Sequence, residues 1–151
     1  MNRRLIAASL VLVTSGAVSH AAEQEIERSQ LPPAVEKTLA EQSREATIRG
    51  IEKYRSAGGT RYEAGLTLGG HRRDIVMDES GAVVAIEDEV AFDSLPPVVK
   101  AGLRTAAGSG SIAKVEMVTK AGRVASYEAR VVTGEKGSRV EVDPNGRPLA
   151  K

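Results

Sequence analysis

Apolar and polar residues alternate along several stretches of the chain, and a period of two predicts β-strands with one buried and one wet face. The cleanest stretch covers residues 61–68, where the apolar positions are Tyr62, Ala64, Leu66 and Leu68. Residues 74–77 and 84–90 follow the same pattern over shorter lengths. Residues 46–55 are rich in β-branched and aromatic side chains but alternate imperfectly, which is compatible with a bulge.

Two other stretches have the spacing of amphipathic helices. Each begins at a Leu-Pro-Pro sequence, at residues 31–33 and 95–97. Proline suits the first turn of a helix, where a missing N–H leaves no hydrogen bond unmade. In the second helix Gly102 costs up to about 1 kcal/mol relative to alanine, so we expect tertiary packing to stabilise this helix. The glycines at positions 108 and 110 end it.

The chain also resembles itself. Residues 31–35 return as residues 95–99 at an offset of 64, and residues 62–64 return as residues 127–129 at an offset of 65. Such self-similarity is typical of repeated structural units. We therefore predict an α+β fold of two tandem repeats, residues 29–93 and 94–151, packed as one compact unit. Each repeat would be a helix followed by an antiparallel sheet of three to four strands.

The first 21 residues have the pattern of a secretory signal peptide. Arg3 and Arg4 precede an apolar stretch over residues 5–18, and small residues precede a cleavage point after Ala21. The apolar stretch is about 14 residues long, which is short for a bilayer span. We predict a cleaved signal peptide, a lead of residues 22–28, and a periplasmic or secreted protein without membrane insertion after cleavage. An uncleaved N-terminal anchor is the alternative.

Composition narrows the function classes. The 151 residues include no cysteine and two histidines, aromatic residues make up 3%, and the formal net charge is +1. The lack of cysteine excludes a disulfide scaffold and cysteine-ligated metal sites. A nucleic-acid binder normally has a basic excess, which this chain lacks. No cofactor is predicted.

The ordered motifs resemble a known family. Leu-Pro-Pro-x-Val-x-x-x-Leu, Ile-x-x-Ile/Val-Glu, Tyr-Glu-Ala and a terminal Asp-x-x-Gly occur in both halves and look like the PepSY-like group, related to the β-lactamase-inhibitor-protein-like fold. The resemblance implies an exported bacterial protein that binds or inhibits other proteins, peptidases among them, without catalysis. It also implies a helix on a four-stranded sheet in each copy. Unlike the β-lactamase inhibitors, this chain has no disulfides, and its last strand is short. No contact residue can be carried over.

Candidate chemistry is sparse. His71 would be the one histidine left after signal cleavage. A hydrolase that uses His71 is the least favoured of the functions considered, because no nucleophile elbow accompanies this residue and it follows two glycines. The acidic run Glu87-Asp88-Glu89 and the turn at residues 143–146 suggest a Ca²⁺ or small-ligand protein as the alternative function. Neither has the ligand set of a calcium loop, so a solvated strand and a hairpin are favoured. We predict no catalytic and no metal residues.

Protein binding is the favoured function, on the polar face of the sheet. A mixed-charge sheet face suits a wet interface whose specificity comes from charge matching. Tyr62 and Tyr127 hold apolar positions and are expected in the core. The predicted partner is another protein of the cell envelope, and the predicted binding residues are Arg61, Glu63, Thr67, Asp74, Glu128, Arg130, Arg139 and Glu141.

Overall fold

Eight β-strands and two α-helices account for most of residues 23–149. The structure is a computed structural model that describes residues 23–149, so the signal peptide and cleavage point predicted over residues 1–21 lie outside the described residues. In chain order the elements are β1 (Gln24–Glu25), α1 (Pro33–Gln42), β2 (Thr47–Ser56), β3 (Gly59–Leu68), β4 (His71–Asp78), β5 (Val83–Glu89), α2 (Pro97–Ala107), β6 (Ser111–Lys120), β7 (Arg123–Thr133) and β8 (Lys136–Val142).

The strands form one continuous antiparallel sheet in sequence order from β1 to β8. The prediction of two tandem repeats, each with a helix and its own sheet of three to four strands, is therefore wrong. Two features overturn it. β5 pairs directly with β6 over Ile86–Glu89 and Glu116–Thr119, which joins the halves, and β1 precedes the first helix and pairs with β2. Alternation reports which face of a strand is buried but does not report which strand lies beside it.

The local predictions for strands and helices agree with the structure. The imperfect alternation of residues 46–55 reflects a bulge between Ile48 and Gly50, which is confirmed by the register of β2 against β3. Pro33 and Pro97 are the first residues of α1 and α2, as expected for proline. α2 ends at Ala107, and Gly108 follows with a φ of 60°, a conformation that suits glycine.

Both helices pack on the same face of the sheet, and each covers its own apolar cluster. Val35 and Leu39 of α1 are fully buried against β2, β3 and β4, whereas Val99 and Leu103 of α2 are fully buried against β6, β7 and β8. The remaining members of the two clusters include Tyr62 and Tyr127, so the prediction that both tyrosines are core residues is confirmed. On the opposite face a third cluster of Val76, Ala85 and Val118 spans β4, β5 and β6.

Each helix also contacts the backbone of a turn. The Thr38 hydroxyl of α1 donates a hydrogen bond to the carbonyl oxygen of Gly81, at 2.7 Å, in the turn between β4 and β5. α2 has Gly102 at the matching place, against the carbonyl of Gly146 in the turn that follows β8. A Cβ added at Gly102 would overlap that carbonyl oxygen. Gly102 therefore lowers the helix propensity of α2 but allows a close contact between helix and turn. This contact is the tertiary packing that we expect to stabilise α2.

Both edges of the sheet are short or partly covered. β1 pairs with only Glu52 and Lys53 of β2. At the other edge, Leu149 donates its N–H to the carbonyl of Glu141, at 2.9 Å, and Pro148 bridges to Val142. The chain thus folds back along the last residues of β8, which limits the backbone left open for pairing with another molecule.

Candidate functional site

The face of the sheet opposite the helices is concave and encloses a cavity of about 550 Å³. Residues from both ends of the strand order line it, because the sheet curves until the β1 end and β8 face the same space. The lining residues are Glu23, Glu25, Arg49, Gly50, Ile51, Glu52, Tyr54, Glu63, Gly65, Asp74, Glu87, Glu128 and Arg139. We call this space the concave cleft.

The concave cleft carries an excess of negative charge. Its lining holds seven carboxylate side chains and two arginines. Arg49 forms an ion pair with Asp74, and Arg139 Nη1 lies 3.2 Å from Glu128 Oε1. Arg49 reaches across Gly65, where the lack of a side chain leaves room for its guanidinium. The two cations thus neutralise two of the carboxylates, and the others face a shared, partly enclosed space.

Glu63 and Glu87 are the most perturbed carboxyls of the concave cleft. Burial, followed by the charges of Glu87 and Asp74, raises the pKa of Glu63 to about 7. Burial, followed by the charges of Glu116 and Glu128, raises the pKa of Glu87 to about 7. Burial also raises the pKa of Asp74, despite its ion pair with Arg49. Like charges in a partly desolvated space disfavour ionisation, so this surface changes its charge near neutral pH.

We expect the free energy of unfolding to fall as the pH rises from about 5 to about 8. The unfolded chain ionises Glu63 and Glu87 near pH 4.5, whereas the folded chain keeps their protons until about pH 7. Folding therefore becomes less favourable through this window and levels off above it. Water in the cleft screens both groups, so the free energy of unfolding should change by only on the order of 2 kcal/mol for the pair across this window. Urea titrations at several pH values measure it.

A double variant, E63Q/E87Q, should flatten this pH dependence and unfold at higher urea at pH 8 than the unmodified chain. E41Q changes an exposed carboxylate on α1 and is the matched control, which should leave the profile unchanged. An unaltered profile in the double variant would show that other groups cause the pH dependence.

The eight predicted binding residues all lie on the concave face, but only half of them line the cleft. Glu63, Asp74, Glu128 and Arg139 line it. The other four do not line the cleft, but the alternation of β3, β7 and β8 places them on the same face of the sheet. They are Arg61, Thr67, Arg130 and Glu141. Whether any of the eight contacts a partner stays a prediction.

Sequence reasoning missed several residues of the concave cleft. Glu52 and Tyr54 follow the bulge in β2. The extra residue of the bulge shifts the alternation of buried and exposed positions, so the sequence pattern does not show that both side chains lie on the concave face. Glu87 stands in the acidic run of residues 87–89, and this pattern does not indicate that its side chain belongs to the concave face. Glu23 lies in the lead before the first helix, where no pattern indicated a strand. The imperfect alternation of residues 46–55 was the one signal that could have identified the first two.

The alternative sites do not assemble in the described part of the chain. Glu87 and Glu89 point to one face of β5 and Asp88 to the other, where Arg73 Nε donates to its carboxylate at 2.6 Å. Asp143 Oδ1 instead accepts the backbone N–H groups of Asn145 and Arg147, at 2.8 and 2.9 Å. Within residues 23–149 no group of three acidic or histidine side chains is placed to hold a metal ion. His71 is exposed at the start of β4 and lines neither this cleft nor the smaller cavity beside β8.

Comparison with solved structures places this architecture among known folds. A BLIP-like protein (BLIP is the β-lactamase inhibitor protein) from Bacteroides fragilis superposes with a TM-score of 0.54 at 18% identity, over 78% of this chain and 82% of that one. The chain has a BLIP-like fold. A DUF2874 family protein from Bacteroides ovatus gives a TM-score of 0.60 at 19% identity, over 80% and 85% of the two chains. A proposed periplasmic protein from Bacteroides eggerthii gives 0.62 at 16% identity, over 80% and 86%.

At these identities the likeness establishes the fold alone. It confirms the BLIP-like part of the resemblance, and the PepSY-like part stays a prediction. No protein-family model matches the chain, and no curated protein matches it. The descriptions of these three structures name no catalytic activity. Within residues 23–149, no helix has the length and apolar character needed to cross a bilayer.

Proposed function

We propose that the chain is an exported, non-catalytic protein-binding module of the cell envelope, and that the concave cleft is its binding surface. The observation that supports this most directly is the cleft itself, a charged cavity of about 550 Å³ on the face that the helices leave open. Recessed surfaces with convergent polar groups are the usual places for recognition. The signal peptide pattern and the description of the similar Bacteroides eggerthii protein support a periplasmic location.

Charge favours a partner that places a basic segment in the concave cleft. Five other carboxylates and the partly ionised Glu63 and Glu87 outweigh the two arginines near pH 7, which gives a negative field that a partly enclosed space focuses. Such a field accelerates encounter with a basic segment and discriminates against acidic ones. Inhibition or regulation of a peptidase or another envelope enzyme is the form of binding that the sequence resemblance implies. The calcium alternative has no support in the geometry of the described residues, because its candidate carboxylates point apart or bind backbone.

Photocrosslinking at single positions tests this proposal. A benzoyl-phenylalanine at position 54 replaces Tyr54, which lines the cleft, and one at position 37 replaces Lys37, which is exposed on α1. Irradiated in its native envelope, the chain should form a discrete adduct from position 54 and none from position 37. Equal adducts from both positions, or none from position 54, would exclude the concave cleft as the binding surface.

Charge reversal then tests the field. E52K inverts one carboxylate of the concave cleft, and E41K makes the same change on the exposed face of α1. In the position-54 crosslinker we expect E52K to reduce the adduct severalfold and E41K to leave it unchanged, since a charge far from the interface has little effect on association. A yield that ignores E52K would contradict charge matching.

A further inference from the structure

Three cations lie directly opposite one another on the concave face, and one of them, Arg139, also lines the concave cleft. Lys114 of β6 pairs in register with Arg130 of β7, and Arg130 pairs with Arg139 of β8. Like charges directly opposite each other on neighbouring strands destabilise a sheet. The next row on the same face is entirely acidic, formed by Glu116, Glu128 and Glu141. The face is thus divided into rows of one sign instead of alternating charges that would cancel.

Arg130 is the member of this row that forms no ion pair with any of the described residues. Lys114 forms an ion pair with Glu116, and Arg139 forms one with Glu128. Arg130 is exposed, and no carboxylate among residues 23–149 lies within ion-pair distance of it. An exposed planar guanidinium is suited to bidentate binding of an oxyanion.

The space beside Arg130 is a second cavity, of about 270 Å³, lined by Arg130, Gly137, Ser138 and Arg139. Gly137 lies on the edge strand, and a Cβ added there would meet no atom within 4 Å, so the glycine leaves this space open. Val132, opposite Gly137 in the register, exposes 37% of its surface beside the two arginines. Two guanidiniums, an open gap and an apolar neighbour are a suitable environment for an acidic side chain with its methylene groups.

We propose that Arg130 and Arg139 form an oxyanion subsite that takes a carboxylate of an aspartate or glutamate side chain on the partner protein. The inference rests on the proposed function, because it assigns one end of the same concave face. A partner segment would then place basic residues in the cleft and an acidic residue at the β7–β8 end. The two ends together fix its direction, since a reversed segment meets like charge at both.

NMR titration of the chain with a tetraglutamate peptide at low ionic strength tests the subsite. The Nε–H signals of Arg130 and Arg139 should shift most, and R130Q should weaken binding about tenfold, as expected for loss of a charge-assisted bidentate contact. G137L fills the gap but keeps both guanidiniums, and it should also abolish the shifts. R123Q removes an exposed arginine at the start of the same strand and should change binding less than twofold.

Unchanged affinity in R130Q, or equal losses in R130Q and R123Q, would overturn the subsite and indicate attraction to surface charge in general. Inorganic phosphate is the second arm of the titration. If it binds the two arginines more tightly than the peptide does, the carboxylate assignment is wrong. The proposed function can fail separately, because it depends on adducts from position 54. If tetraglutamate binds the subsite but position 54 gives no adduct, the anion site is supported and the concave cleft is excluded as the binding surface.

Discussion

Gly102→Ala should lower the free energy of unfolding by about 2–3 kcal/mol, although alanine is the better helix former by about 1 kcal/mol. The added methyl would overlap the carbonyl oxygen of Gly146. Relief requires movement of backbone, because Gly146 has a φ of 77° and a Cβ built on it would overlap the carbonyl oxygen of Val98, so the turn is also tightly packed against the helix. The helix and the turn would have to separate, which also loosens the contact of α2 with β8. Thermal and urea unfolding measure the loss.

Gly137→Ala is the matched control. It makes the same change at a position where the new methyl meets no atom within 4 Å and where φ is not positive. We expect a change within about 0.5 kcal/mol, or a slight gain from the reduced freedom of the unfolded chain. If Gly102→Ala were as stable as Gly137→Ala, the close contact between α2 and the turn would not exist in solution.

Leu39→Ala should cost about 3 kcal/mol, the largest single loss that we expect in the first half of the chain. Leu39 has no exposed surface and lies between α1 and the strands beneath it. Removing its isobutyl group loses transfer free energy and leaves a cavity that strands on a continuous sheet cannot close. Leu149→Ala truncates the same side chain at a position with 41% exposure and should cost less than 1 kcal/mol. Urea unfolding compares the two.

Leu39→Ala also tests whether the sheet unfolds as one cooperative unit. The β5–β6 pairing and the cluster of Val76, Ala85 and Val118 connect the two halves. In Leu39→Ala we therefore expect amides of β7 to lose protection from hydrogen exchange by the same free energy as amides of β3. If β7 kept its original protection while β3 lost it, the halves would be separate cooperative units despite the shared sheet.

The sequence alone predicted the local structure well because local structure depends on local patterns. Alternation in β3 predicts that Tyr62, Ala64, Leu66 and Leu68 face the core. The first three belong to it, whereas Leu68, the last residue of the strand, is only partly buried. The proline positions identified the starts of both helices. The self-similarity of the chain, however, predicts two separate sheets, whereas the structure has one continuous sheet. Pairing between Ile86–Glu89 and Glu116–Thr119 leaves no periodic signal, since either strand would alternate in the same way at the edge of a separate sheet.

The candidate site was only half predictable for a related reason. Glu63 and Asp74 follow from the parity of their strands, but the curvature that brings Glu23 and Arg139 to one cavity is a property of the whole sheet. Strand twist accumulates over eight strands and cannot be obtained from any single segment. Charge counts gave a nearly neutral chain, and they did not reveal the separation into an acidic cleft and a basic row.

Because residues from both ends of the sheet line the concave cleft, the recognition that we propose would require the intact chain. Neither the first four strands nor the last three supply all of its walls. A fragment released by proteolysis, even one that retained a helix and its strands, would lose the shape of the proposed binding surface. Recognition and structural integrity would therefore be lost together, so that damaged molecules would not compete with whole ones for the same partner.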